Sequence, residues 1–403
     1  MSENPQLRPL DIQPINYEGR QMWLLRDPLE LSDTQLVLAS PLAQLLVYCD
    51  GSRDVEEIRS TLALELGIPV DFAIIEDTIN QLDEACLLEN ERSEQALHSQ
   101  LASYRKQDSR EPSLAGLGYS ADPFELTTEF LAYGEGDDLA DWNPWMGRGI
   151  ISPHIDYQRG GEVYSQLWRR AELAVKQAEL VIIFGTDHYG LDGSITLTSR
   201  PYETPFGLLP NEPQLINALA EVIGPDAFTE ELHHRKEHSV ELSATWLHFV
   251  NDRQPTSMIP VLCGSFGGFI HGQGHPAEDQ KISSFIEALR ELTAGNKVLA
   301  VASVDLAHMG PNFGDNFIMD VSRRERLIQE DELLIEAIGK GDAEEFFGRV
   351  ASVEDRNRVC GTSSIYLLLR YLGATSGELI SYKHCPADQQ DTSLVSICGM
   401  LLQ

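Results

Sequence analysis

Three apolar runs in this 403-residue chain each end on a histidine, and that recurrence limits the possible fold more than any other feature. Leu180 to Phe184 carries no polar alternation and leads through Gly185-Thr186-Asp187 to His188. Gly149-Ile150-Ile151-Ser152-Pro153 leads to His154, and Val298 to Val304 leads through Asp305 to His308. A strand that is apolar at every position is covered on both faces, as in the middle of an α/β sheet. Open α/β sheets place their ligands just past the carboxyl ends of strands. The three imidazoles are therefore expected at one rim. Gly185 predicts a sharp turn at the end of its strand.

The remaining pattern supplies the layers. A helix over 161–178, with Val163, Leu167, Ala171 and Ala174 on one stripe, joins the first two runs into a β-α-β unit with parallel strands. Helices at 213–223, 239–250 and 279–293, two more within 323–350 and an apolar one at 362–371 alternate with a strand at 258–262. Strands at 378–383 and 393–402 close the chain, and 134–141 reads as an acidic loop. The expectation for residues 114–403 is an α/β domain, a mixed central sheet with helices on both faces. Residues 96–113 read as a linker that is partly helical. Residues 1–95 read as a separate α+β unit of winged-helix type. It has a strand near Gln21–Leu25, a helix opening at Ser40-Pro41, and helices over 54–66 and 71–86.

Charge removes several function classes. The chain holds 63 acidic residues against 30 Lys and Arg, a formal charge of -33. Residues 1–95 alone carry nineteen Asp and Glu, six Arg and no Lys. Such surfaces repel phosphate backbones and anionic lipid, so neither nucleic acid nor membrane is expected as a partner. No apolar run approaches the roughly 18 residues of a membrane span, and the first ten residues show no signal-peptide core. Six scattered cysteines without a CxxC pair fit reduced thiols in a cytoplasm.

Two imidazoles with one anionic ligand make an open site for Fe(II), Cu or Zn, and a third imidazole can bind as well or move protons. Cys360 is one candidate anion, because it stands where the apolar helix opens and a helix N-terminus favours thiolate. Asp156, Asp187, Glu241 and Asp305 compete with it, or orient imidazoles. The segment His233-His234-Arg235-Lys236-Glu237-His238-Ser239-Val240-Glu241 holds three more histidines and is a candidate second metal site, although it matches no finger or HExxH spacing. It reads as a helix entrance with Ser239 as N-cap, and His238 and Glu241 can then point at the same rim.

Several of these segments, in order, resemble the Memo family, related in fold to class III extradiol ring-cleaving dioxygenases. They include Ala115-Gly116-Leu117-Gly118-Tyr119, Pro153-His154-Ile155-Asp156-Tyr157, Gly185-Thr186-Asp187-His188, Glu237-His238-Ser239-Val240-Glu241, Val304 to Gly310 and Cys360-Gly361. The resemblance implies a metal at His154, His188 and Cys360, with His308 as a nearby acid/base group. Asp305 and Glu241 are expected beside it in supporting catalytic roles. Asp156, Tyr189, Ser243 and Ala307 depart from the family's usual glycine, histidine, histidine and cysteine. Leu31 through Asp50-Gly51-Ser52-Arg53 to Leu87-Leu88 resembles the PqqD-like module, which implies a peptide or protein partner at the N-terminal unit. The expected function is a redox enzyme with iron or copper and a small-molecule substrate. The alternatives are a partner-binding scaffold with a vestigial pocket, and hydrolysis by zinc-bound water.

Overall fold

The computed structural model describes residues 4–136 and 144–403, and the acidic loop expected at 134–141 lies outside them from 137 onward. The chain divides into two compact units, Met1–Lys106 and Gln107–Gln403. Of the stretch read as a linker, the helix Glu91–Tyr104 falls in the first unit. Residues 107–113 fall in the second, where Arg110 is fully buried.

The first unit opens with a three-stranded antiparallel sheet, β1 (Asp11–Tyr17), β2 (Arg20–Arg26) and β3 (Leu36–Ala39), in the order β1-β2-β3. Only β2 is legible from its residues. Pro14 breaks the β1 pattern, which an edge strand tolerates, and β3 has four residues. Helices Val55–Leu66 and Phe72–Glu84 follow. Asp54 caps the first in a reciprocal capping box with Glu57. Ile58, Leu62, Ile75, Ile79 and Leu82 pack with Leu25 and Leu38 into one core.

The second unit is built on β4 (Gly149–Ser152), β5 (Leu180–Thr186), β6 (Ile195–Leu197), the small hairpin β7 (Tyr202–Thr204) and β8 (Gly207–Leu209), β9 (Ser257–Cys263), β10 (Val298–Ser303), β11 (His308–Met309), β12 (Gly377–Pro386) and β13 (Leu394–Leu402). The main sheet runs β11-β13-β4-β10-β5-β9-β6, with β12 paired to β13. β4, β10, β5 and β9 are mutually parallel, while β6, β12 and β13 join antiparallel. β4 and β5 are parallel as expected, with β10 inserted between them.

Alternate side chains of β5 serve opposite faces, as the period of two requires. Leu180, Ile182 and Phe184 join the core under helices Pro213–Ile223, Gln280–Leu292 and Thr362–Leu372. Val181 and Ile183 join the core under helices Tyr157–Gln177 and His238–Val250. Gly185 is not the expected turn, because β5 continues through it to Thr186. Its role is close approach: a Cβ there would stand 2.6 Å from Ser239 Oγ and from Val240 Cγ2. The glycine lets the start of helix His238–Val250 press onto the strand end. No helix among the described residues is long and apolar enough to cross a membrane.

Candidate metal centre

Ladder register brings the histidines together. Ser303 at the end of β10 pairs with Ser152 of β4 and Gly185 of β5. His154 and His188 follow within a few residues of these level strand ends. Their ring centroids are 5.1 Å apart. His238, on the first turn of its helix, completes a triangle, 5.4 Å from His154 and 5.2 Å from His188. One ring nitrogen of each lies within 4.8 Å of the others.

Each imidazole has one nitrogen committed to an acceptor. His154 Nδ1 lies 3.0 Å from the Ser303 carbonyl, so it carries the proton. His188 Nδ1 lies 2.9 Å from Glu237 Oε2, and His238 Nδ1 lies 3.2 Å from Glu237 Oε1. Glu237 is buried and also caps the helix by accepting from Ser239 N at 2.9 Å. Sequence reasoning gave the cap to Ser239, the commoner residue type there, and so missed the carboxylate that orients two imidazoles. Ser239 instead donates its hydroxyl to the Thr186 carbonyl. The anchored nitrogens leave Nε2 of each ring as the atom a metal would take in exchange for its proton, the arrangement in which histidines bind metal. Burial opposes charge on His188, but the Glu237 carboxylate and Cys360 hold its pKa well above the ordinary value. His238 is pulled down to about 4 by burial, against the attraction of Glu237.

Cys360 approaches from the other side, with Sγ 3.4 Å from His154 Nε2. Burial alone would raise this thiol. The His154 and His308 imidazoles overcome that and bring it down to about 5. The neighbouring imidazoles are a cause that the sequence did not reveal. For His154, burial is opposed by Asp305 and Cys360, which hold it near 9. His308 Nδ1 lies 3.0 Å from the Arg358 carbonyl and 3.2 Å from that of Leu306, so it is the protonated nitrogen and Nε2 is free.

A family model described as Memo-like protein matches residues 110–401. The chain belongs to the Memo-like family. A MEMO1 family protein of Aquifex aeolicus is 28% identical over 98% of this chain and 99% of its own. A second, from Thermus thermophilus, is 26% identical over 82% of this chain and 94% of its own. A solved structure, an uncharacterized protein from Escherichia coli K12, is similar at 14% identity over 63% of this chain and 99% of that chain, with a TM-score of 0.36.

The other residues singled out from the Memo-like pattern divide by location. Asp305 stays at the centre: Oδ1 accepts from the backbone N of His154 at 2.9 Å and of Ile155 at 3.2 Å, and Oδ2 lies 3.7 Å from His154 Nε2. Glu241 does not join the imidazoles. Its oxygens accept from Arg110, Ser113, the Leu114 amide and Tyr119 Oη, and it is fully buried. A carboxylate with that many donors is spent, so Glu241 is structural. Arg110 also donates to the carbonyls of His234 and Glu237, both at 2.8 Å. The segment read as a linker thus straps down the chain that presents Glu237 and His238. Asp187 pairs with His233 rather than His188, and Asp156 caps helix Tyr157–Gln177. Ser243, one departure from the family pattern, bonds Ser303 Oγ at 2.6 Å and helps hold the strand end that anchors His154.

Two cavities meet at the cluster. One of about 340 Å³ is lined by Asp187, Phe266, Asp355, Arg358 and Cys360. The other, about 500 Å³, is lined by Leu114, His154, Arg159, His238, Leu242 and Asn312. His188, His308 and Phe313 line both.

Proposed function

We propose that this chain is a metal-dependent redox enzyme in which His154, His188 and Cys360 hold iron or copper, with His238 available as a fourth ligand. The observation that carries this reading is the convergence of three imidazoles, each tethered through Nδ1, beside a thiol of lowered pKa. Imidazole with thiolate suits copper, iron or zinc better than magnesium or calcium. Such a metal supplies one-electron chemistry and polarisation of a bound substrate. The chain's own groups do the rest. Glu237 fixes two rings, and Asp305 fixes the backbone of His154. His308, with Nδ1 tied to carbonyls, accepts or returns a proton through Nε2 in the cavities it lines. Their volumes suit a small organic substrate.

Metal analysis of anaerobically purified full-length protein tests the reading. One equivalent of iron or copper in wild type, lost in Cys360→Ser and in His154→Ala, is expected. Protein that takes up neither metal after anaerobic loading contradicts it. A zinc-only protein with hydrolytic activity favours the zinc-bound water reading.

A second reading, partner binding, rests on the first unit. Among the described residues β3 has a ladder partner on one side only. A groove of about 420 Å³ runs between it and helix Phe72–Glu84, lined by Val37, Leu38, Leu42, Ala73 and Ile74. An extended peptide adding a strand there would gain main-chain bonds and an apolar pocket. Peptide-array binding by the full chain, abolished by Ile74→Glu, is expected on that reading; equal binding by the variant contradicts it.

A further inference from the structure

Beside the imidazole–thiol cluster lies a second group of metal-ligating side chains that it does not use. Asp187, Glu230 and His233 each offer one ligand atom within 4.8 Å of the other two. His233 Nδ1 stands 3.0 and 2.9 Å from the two oxygens of Asp187. Two ligands each ~2.1 Å from one ion, at about a right angle, are about 3.0 Å apart. Glu230 accepts elsewhere from Leu191 N at 3.1 Å, an ordinary bond, and from Thr196 Oγ1 at a long 3.5 Å. A carboxylate has roughly four acceptor positions, so each acid keeps lone pairs for an ion.

Charge balance is an independent argument. The Asp187 side chain is 1% exposed and that of His233 11%. Two carboxylates, Asp187 buried and Glu230 half-buried, face one imidazole. Buried carboxylates are normally paired or bound to metal. The backbone also makes room: a Cβ on Gly190 would stand 2.7 Å from the Asp187 carboxylate carbon, so only glycine leaves that carboxylate its place.

We propose that Asp187, Glu230 and His233 form a second divalent-cation site, separate from the imidazole–thiol centre, with a zinc-type ion as ligand. The donor set is one nitrogen and two carboxylates without sulfur, which suits zinc or manganese and disfavours copper(I). Position gives it a task. Asp187 immediately precedes His188, and Glu230 and His233 lie on the segment that leads into Glu237 and His238. An ion shared by the three ties the turn bearing His188 to the segment bearing its orienting carboxylate.

The experiment is zinc and cobalt(II) loading of full-length, chelator-stripped protein, read by metal stoichiometry and visible spectrum. Glu230→Gln keeps side-chain shape, His233→Gln keeps a polar side chain of similar length, and circular dichroism verifies their folding. Wild type is expected to bind two equivalents and each of these variants one. Cys360→Ser combined with His154→Ala is expected to retain one cobalt without a thiolate charge-transfer band. The inference is overturned if Glu230→Gln and His233→Gln bind as many equivalents as wild type, or if the Cys360→Ser, His154→Ala protein binds none. If wild type binds one equivalent, lost in Glu230→Gln but kept in Cys360→Ser, this site stands and the imidazole–thiol reading falls.

Discussion

His154 and His188 stand just past strand ends whose level is set by the β4-β10-β5 ladder, whereas Cys360 stands on a loop and His308 on the two-residue edge strand β11. The strand-end side needs little beyond the sheet: parallel pairing sets the rings side by side, and Ser303 O and Glu237 fix their rotation. The loop side is assembled from specific polar contacts. Glu354, Asp355 and Arg358 all adopt positive φ, at 52°, 46° and 53°, in the turn just before Cys360. Left-handed backbone at non-glycine residues costs on the order of 1 kcal/mol or more each, and persists where surroundings enforce it. Here the enforcement is a reciprocal clamp. His308 Nδ1 meets the Arg358 carbonyl, Arg358 donates back to the His308 carbonyl at 3.0 Å, and its guanidinium grips Asp315 at 2.6 Å. The difference teaches that one pocket can combine a wall that follows from topology with another that depends on local chemistry.

The contrast is open to test. The largest expected effect is on thiol ionisation in the metal-free protein. The Cys360 thiol is brought down to about 5, so its thiolate persists as pH rises above that value and is lost as pH falls through it. Iodoacetamide alkylation of Cys360 should therefore be level from pH 6 to 8. An ordinary thiol gains rate roughly tenfold per unit below its pKa of ~8.5. Burial pushes Cys263 up to about 12, and it should stay unreactive. A Cys360 profile that keeps rising to pH 9 would show the loop side does not deliver the thiol to the imidazoles. Next comes Arg110→Met, which strands a fully buried Glu241 carboxylate. A loss of about 3–5 kcal/mol in denaturant unfolding is expected; a loss under 1 kcal/mol would mean that the strap is idle. Glu237→Gln comes third and touches only the strand-end side. It should weaken metal affinity about 10- to 100-fold, as removal of a carboxylate behind a ligating histidine generally does. Unchanged affinity would release Glu237 from its positioning role. The smallest effect is expected for Asp315→Ala. Its partner Arg358 is partly exposed, so stability should fall by no more than about 1 kcal/mol. The loss should appear as faster hydrogen exchange around Cys360 and not around His154.

The same contrast explains what was legible in the sequence. Apolar runs announce buried strands, and strand ends announce a rim, so His154 and His188 were readable together. Cys360 was readable through the family resemblance, but the cause of its ionisation was not, because His154 is 206 positions away. Glu237 was hidden since Ser239 looks the better cap. Arg110 was hidden in a polar stretch whose burial depends on Glu241, a partner 131 residues later. Glu241 itself was misread because a carboxylate next to a histidine motif looks catalytic until its donors are known. Gly185 was legible as a glycine with a purpose, yet close packing and turning look alike in one dimension.

Anaerobic X-ray absorption spectroscopy on iron- or copper-loaded full-length protein tests the central claim most directly. The account predicts a sulfur scatterer at about 2.3 Å beside two or three imidazole nitrogens at about 2.0–2.1 Å, taking the usual metal–ligand lengths. The sulfur shell should vanish in Cys360→Ser. A wild-type spectrum fitted by nitrogen and oxygen alone would contradict the claim that Cys360 and the strand-end histidines share one ion.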